Sequence, residues 1–131
     1  MNFSLKFHPF REAVAKLVDR FLDPAMGVDG VKKDLKIGLI AFYGVYGDGK
    51  LIGFLLIRID KHYSGVEEMV VMYSYSFFKT EPPFYNFLGP LYDEIANGRR
   101  IRIHSERRAI DRVLERHGFK HAESVFIKEP S

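Results

Sequence analysis

Apolar and polar positions along this chain change period several times, and each change marks an element. Phe3, Leu5 and Phe7 alternate with polar neighbours, which predicts a short strand over residues 1–7. Phe10, Ala13, Val14, Leu17, Val18 and Phe21 then recur at helical intervals and form one apolar stripe. His8-Pro9 reads as the start of that helix, with proline at the first helical position, and Asp23-Pro24 as its end. A short second helix is expected over residues 29–36, with Asp29 as its cap and Val31 and Leu35 facing inward.

The period then shortens to two. Residues 40–46 and 51–59 read as strands joined by the hairpin turn Gly47-Asp48-Gly49-Lys50. Leu51-Ile52-Gly53-Phe54-Leu55-Leu56-Ile57 is apolar on both faces, so this strand belongs in the middle of a sheet, covered on both sides. A loop over 60–66 leads to a long strand over 67–78. Helical spacing returns after Pro82-Pro83 with Phe84, Phe87, Leu88, Leu91, Tyr92 and Ile95. Gly89-Pro90 should kink or split that helix, and Asn97-Gly98 should end it. Residues 100–104 read as a short strand. Ser105 caps a final helix with Ile110, Val113, Leu114 and His117 inward, Gly118 closes it, and 120–128 form a last strand. This order predicts an α/β (α+β) domain, antiparallel in its central meander and parallel where strands alternate with helices.

Composition narrows the chemistry. The 131 residues suit one domain over 1–131 with one substantial core. There is no cysteine, which excludes a disulfide scaffold, thiol catalysis and thiolate metal sites. No apolar run reaches ~18 residues, and no basic segment followed by an apolar stretch opens the chain. The expectation is an intracellular, cytoplasmic protein that does not enter a membrane. The five histidines show no metal-ligand spacing, so no metal site is expected.

Charge is unevenly placed. Residues 99–120 carry eight Arg/Lys against three acids, within a chain of net charge +3. Arg108, Arg112 and Arg116 form a row at four-residue intervals, where like charges repel unless something negative faces them. Such a row reads either as a solvated helix face or as an anion or nucleic-acid surface. The modest net charge, and the lack of strand-interleaved aromatics with basic residues, argue against nucleic acid.

The element order resembles that of the GNAT (Gcn-five-related N-acetyltransferase) superfamily over essentially the whole chain. Two stretches carry the likeness. One is the hairpin Tyr46-Gly47-Asp48-Gly49-Lys50-Leu51-Ile52-Gly53-Phe54. The other is Ile101-Arg102-Ile103-His104-Ser105 with Arg108-Ala109-Ile110 and Arg116-His117-Gly118-Phe119-Lys120. The resemblance implies a mixed central sheet of about six strands with helices on both faces. It also implies acetyl-CoA binding where the fourth and fifth strands splay apart, with the pyrophosphate on backbone amides of a glycine-rich loop.

The chain departs from that pattern in specific places. The matching loop, Phe78-Lys79-Thr80-Glu81-Pro82-Pro83-Phe84, has no glycine. Pro82 and Pro83 have no N–H to offer, and Glu81 brings a negative charge. Leu114 stands where many members carry the tyrosine that protonates the departing thiolate. Weakened or absent acetyl-CoA binding is therefore expected, in a protein that is N-acetyltransferase-like by resemblance and open to being non-catalytic.

If the protein is an enzyme, the resemblance points to an acyl-CoA-dependent N-acetyltransferase. Its candidate catalytic residues are Glu68, as base for the attacking amine, and Tyr75, as substitute acid. Alternation puts Glu67 and Glu68 on opposite faces and Tyr73 and Tyr75 on one. The blander readings are a solvated strand end for Glu68 and core packing for Tyr75. Candidate cofactor contacts are Ser76, Phe77 and Phe78 through the backbone, and Lys79 and Thr80 through side chains. The alternative is a protein-interaction or assembly module on the same scaffold, self-associating or binding a partner through the aromatic region around Pro82-Pro83 or a sheet edge. Loosely similar compact proteins occur in tailed phages, so a virion-associated location stays open beside the cytoplasm.

Overall fold

The computed structural model describes residues 2–77 and 91–103. The described elements are β1 (Phe3–His8), α1 (Glu12–Phe21), a 3-10 turn (Pro24–Met26), α2 (Val28–Ile37), β2 (Ala41–Gly47), β3 (Lys50–Lys61), β4 (Glu67–Ser76), a helix over 91–96 (α3) and β5 (Arg100–Ile103). The strands lie side by side in the order β1-β2-β3-β4-β5. All neighbours are antiparallel except β4 and β5, which are parallel. The order expected from the sequence holds through the fifth strand. The Gly89-Pro90 kink, the last helix and the sixth strand lie outside the described residues. No described helix is long and apolar enough to cross a membrane.

β3 explains the layering. Its residues Ile52 to Ile57 are all buried. Alternation sends Leu55 and Ile57 to one face, where they pack with Val45, Met69 and Val71 beneath Tyr92 and Ala96 of α3. It sends Phe54 and Leu56 to the other face, where they pack with Phe42 beneath Val14 and Val18 of α1 and Val31 and Leu35 of α2. Each buried Leu or Phe contributes roughly 1.5–3 kcal/mol by leaving water. A strand apolar on both faces thus needs helices on both faces, and has them.

Local chemistry shifts some boundaries. α1 begins at Glu12, not at Pro9. His8 stays in β1 opposite Phe42, and Pro9 to Arg11 carry the chain from sheet to helix, with Arg11 extended as the N-cap. Asp29 does not cap α2. Gly27 does, in the left-handed region at φ 77°, and its carbonyl accepts from the Val31 amide at 3.0 Å. Asp29 sits instead in the first turn, where its charge complements the helix dipole. Between the helices, the Asp23 carboxylate accepts from the Ala25 amide and starts the 3-10 turn that the sequence pattern did not show. The hairpin turn is Asp48-Gly49, with φ of 50° and 80°, the signs a type I′ turn requires. Asp48 and Asn2 exchange hydrogen bonds at 2.8 Å and tie the start of β1 to that turn.

Gly53 sets how closely β4 approaches β3. A methyl at Gly53 would lie 2.2 Å from the Tyr75 carbonyl oxygen, a backbone atom that cannot swing aside. Gly53→Ala is expected to destabilise the fold by roughly 1–3 kcal/mol through overpacking. Urea unfolding checks this, as a lowered midpoint with an unchanged slope.

Candidate functional site

β4 changes its pairing midway. Along β3 its register runs Gly53 with Ser76, Phe54 with Tyr75 and Leu56 with Tyr73, then shifts to Ile57 with Val71. Met72 is the extra residue of a β-bulge, a feature that bends a strand and re-aims the residues beyond it. On its other side β4 pairs with β5 from Glu68 with Arg100 to Val71 with Ile103. The bulge therefore falls one residue past Val71, the last β4 residue whose pairing with β5 is described. Beyond it the Phe77 amide donates to the Ile52 carbonyl at 2.9 Å. Alternation then turns the Ser76 backbone toward the β5 side of β4.

The side chains past the bulge form an aromatic ladder. Phe21 of α1 lies 4.9 Å from both Tyr75 and Phe77, centroid to centroid. Phe54 stacks on Tyr75 at 5.9 Å, and Tyr73 on Tyr75 at 6.4 Å. The Tyr73 hydroxyl donates to the Phe21 carbonyl at 3.1 Å. Tyr75 is half-buried, with its ring held between α1 and β3. Tyr73 and Tyr75 do share a face, as alternation requires.

At the other end of β4 sits a charge cluster. Glu68 is 1% exposed, so it is not a solvated strand end. Arg100, directly across the β4–β5 ladder, places Nε and Nη2 each 2.5 Å from Oε2. Arg102 Nε lies 2.8 Å from Oε1, close enough for strong attraction although its N–H does not point at that oxygen. His62 Nε2 stands 3.7 Å from Oε1. On the same face Arg58 grips Asp60 with two hydrogen bonds, of 2.6 and 2.9 Å. The Arg58 hydrogen bond holds the Asp60 carboxyl below its ordinary value, and Asp60 in turn raises Arg58. Glu67, on the opposite face, accepts from Arg99 Nε at 2.6 Å.

The structure does not bring the two candidate catalytic residues together. Glu68 and Tyr75 lie seven residues apart on one strand, roughly 20 Å at the rise of an extended chain. Of the candidate cofactor contacts, Ser76 and Phe77 lie past the bulge at the end of β4, while Phe78, Lys79 and Thr80 lie outside the described residues. The arginines that engage Glu67 and Glu68 were not singled out from the sequence. A signal was present. Two acids open one strand, two arginines open the next, and parallel strands put those ends side by side. Among the described residues no group of His, Asp or Glu could hold a metal ion.

No family model and no curated protein matches the sequence. Solved structures do match the fold. A probable acetyltransferase superposes with a TM-score of 0.71 at 15% identity, covering 100% of this chain and 99% of its own. A ribosomal-protein-alanine N-acetyltransferase from Brucella melitensis biovar Abortus 2308 gives 0.67 at 15% identity, covering 99% and 100%. The acetyltransferase AAC(6')-Iy, solved with the bisubstrate analogue CoA-S-monomethyl-acetylneamine, gives 0.61 at 15% identity, covering 100% and 99%. The chain has the GNAT acetyltransferase fold. The likeness extends over the full length of both partners in each comparison.

The two charge pairs should respond differently to mutation. Glu68→Gln is expected to cost roughly 1–3 kcal/mol, because it leaves a buried amide without the charge-assisted bonds the carboxylate makes, while Arg100 and Arg102 keep partial access to water. Asp60→Asn, on a largely solvated pair, should cost under about 1 kcal/mol at neutral pH. The depressed Asp60 pKa makes its contribution full above the ordinary value of 3.8 and lost as the pH falls through the lower folded value. Denaturant titrations at pH 7 and below pH 3.8 measure both effects, and the Asp60→Asn difference should shrink at the lower pH.

Proposed function

We propose that this chain is an N-acetyltransferase-like GNAT protein that holds an acyl-CoA weakly and does not transfer acyl groups at the rates of an ordinary enzyme. The observation that carries this reading is the bulge in β4 and the turn of the Ser76 backbone beyond it. The bulge at Met72 adjoins the last described β4–β5 pair, and the Ser76 backbone is turned to the β5 side. Backbone groups at Ser76 and Phe77 suit the amide-bearing pantetheine arm, which pairs with a strand edge as another strand would.

The diphosphate end fits less well. The sequence after β4, Phe78-Lys79-Thr80-Glu81-Pro82-Pro83, offers a lysine ammonium and a threonine hydroxyl. It lacks glycines, and its two prolines lack the N–H donors that cradle phosphate at a helix N-terminus. When bound, acyl-CoA would supply an acyl group activated as a thioester. Attack by an amine needs a base that can take its proton. Glu68 commits its oxygens to Arg100 and Arg102, and Tyr75, the candidate acid, stands at the far end of the same strand. This separation supports retention of the scaffold without ordinary turnover.

A second reading, a protein-interaction or assembly module, draws on Phe7, Ile37 and Leu39, large apolar side chains more than half exposed. Size-exclusion chromatography with light scattering tests its self-associating form, which predicts a dimer or larger species.

Calorimetry with acetyl-CoA tests the first reading. A dissociation constant weaker than about 100 μM, which is less than about 5.5 kcal/mol of binding free energy, is the expected result. Micromolar binding with measurable acetyl transfer to amines would contradict it.

A further inference from the structure

Three asparagines supply all the side-chain amides of this chain, which has no glutamine. Asn2 and Asn86 are each followed by phenylalanine, and Asn97 by glycine. Gly98 has no side chain to shield its nitrogen from the carboxamide of the residue before it. The pair joins α3 to β5, and the structure leaves it open. Both residues are exposed and left-handed, at φ 50° and 81°. A methyl at Gly98 would meet nothing within 4 Å. The Asn97 carboxamide makes no hydrogen bond among the described residues.

The hairpin turn gives the contrast. Asp48-Gly49 has the same left-handed backbone, at φ 50° and 80°. Its side chain is held, because Asp48 Oδ1 accepts from the Asn2 amide at 2.8 Å. An ionised carboxylate is also a poorer target for a nucleophile than a neutral amide. One left-handed pair is therefore tied and inert, and the other is free and electrophilic.

We propose that Asn97 is a site of self-modification, at which the backbone converts its carboxamide to a carboxylate. The Gly98 nitrogen gives up its proton and attacks Asn97 Cγ. The new N–Cγ bond closes a five-membered succinimide. The Cγ–Nδ2 bond breaks, and the side-chain nitrogen leaves as ammonia, carrying a proton in place of the one Gly98 released. Water then opens the ring. Addition at Cγ gives aspartate, and addition at the main-chain carbonyl carbon gives isoaspartate. The sum is one water consumed and one ammonia released.

Either product sets a negative charge at the C-terminal end of α3, where the helix dipole is itself negative. It also lies two residues from Arg99. That side chain donates from Nε to Glu67 at 2.6 Å and from Nη1 to the Ala96 carbonyl at 3.3 Å. The Arg99 amide donates to the same carbonyl at 3.0 Å. A carboxylate at position 97 competes with Glu67 for the guanidinium. Isoaspartate further lengthens the main chain of residues 97–99, which carry it from Ala96 to the start of β5. The modification therefore loosens the joint between α3 and β5, whether or not acyl-CoA binds.

The full chain is aged in mildly alkaline buffer and digested, and each asparagine is located by fragmentation of its peptide. The mass gained on exchanging NH2 for OH should be confined to Asn97, with isoaspartate present. Its rate should rise about tenfold per pH unit, because the attacking nitrogen must lose a proton. Asn97→Gln would need a six-membered ring and should convert at least about tenfold more slowly. Hydrogen exchange of fresh Asn97→Asp reads the consequence, with amides in 99–103 about threefold or more faster than wild type and 42–57 unchanged. Asn2 and Asn86 are internal controls, so the wild-type chain alone decides the site. An Asn97 unchanged after ageing, or conversion as fast at Asn2 or Asn86, would overturn it. Unaltered exchange in Asn97→Asp would overturn the loosened joint.

Discussion

Everything in this molecule is arranged around a strand with no face to give to water. β3 is apolar at successive positions, so burying one side would still expose the other. The fold answers with α1 and α2 on one face and α3 on the other, and with β2 and β4 on its two edges. β4 inherits its position from that requirement. Gly53 lets β4 come close, and the Met72 bulge bends it away from a straight ladder. The turn of the Ser76 backbone toward the β5 side is thus a consequence of packing.

β4 also divides two kinds of chemistry. Past the bulge it carries aromatic rings that lock onto α1 and β3. Before the bulge it carries carboxylates matched to the arginines of β5. Proximity of a base and an acid to one reacting carbonyl is what an acyl transfer needs. The strand instead holds Glu68 and Tyr75 at its two ends, and each already has structural work. Similarity of fold along the whole chain at 15% identity is compatible with that division, since a scaffold constrains where a site sits and not whether it acts.

The sequence made the layered scaffold readable because its strongest signals are periodic. The stripe of α1, the two-faced β3, the Asp48-Gly49 turn and the inward Val31 and Leu35 of α2 all follow from spacing alone. The misplacements are local. Pro9 suits a first helical position, yet pairing of His8 with Phe42 keeps the chain in the sheet a little longer. Asp29 suits a cap, yet Gly27 reaches the required left-handed turn earlier. The burial of Glu68 was hidden for a different reason. It depends on Arg100 and Arg102, more than thirty residues away, so the matching acids and arginines become legible only once β4 and β5 are parallel neighbours. The bulge at Met72 has no sequence signature at all, because it is defined by a shift in pairing between two strands.

The central claim is that the β5 side of β4, past the Met72 bulge, is where an acyl-CoA would lie. Amide chemical shifts of the isotope-labelled full chain, measured as acetyl-CoA is added, test it most directly. The largest changes are expected at the amides of Val71 through Phe77, in fast exchange as befits weak binding. Changes centred elsewhere, such as the basic residues of 107–120 beyond β5, or no change at millimolar ligand, would contradict it.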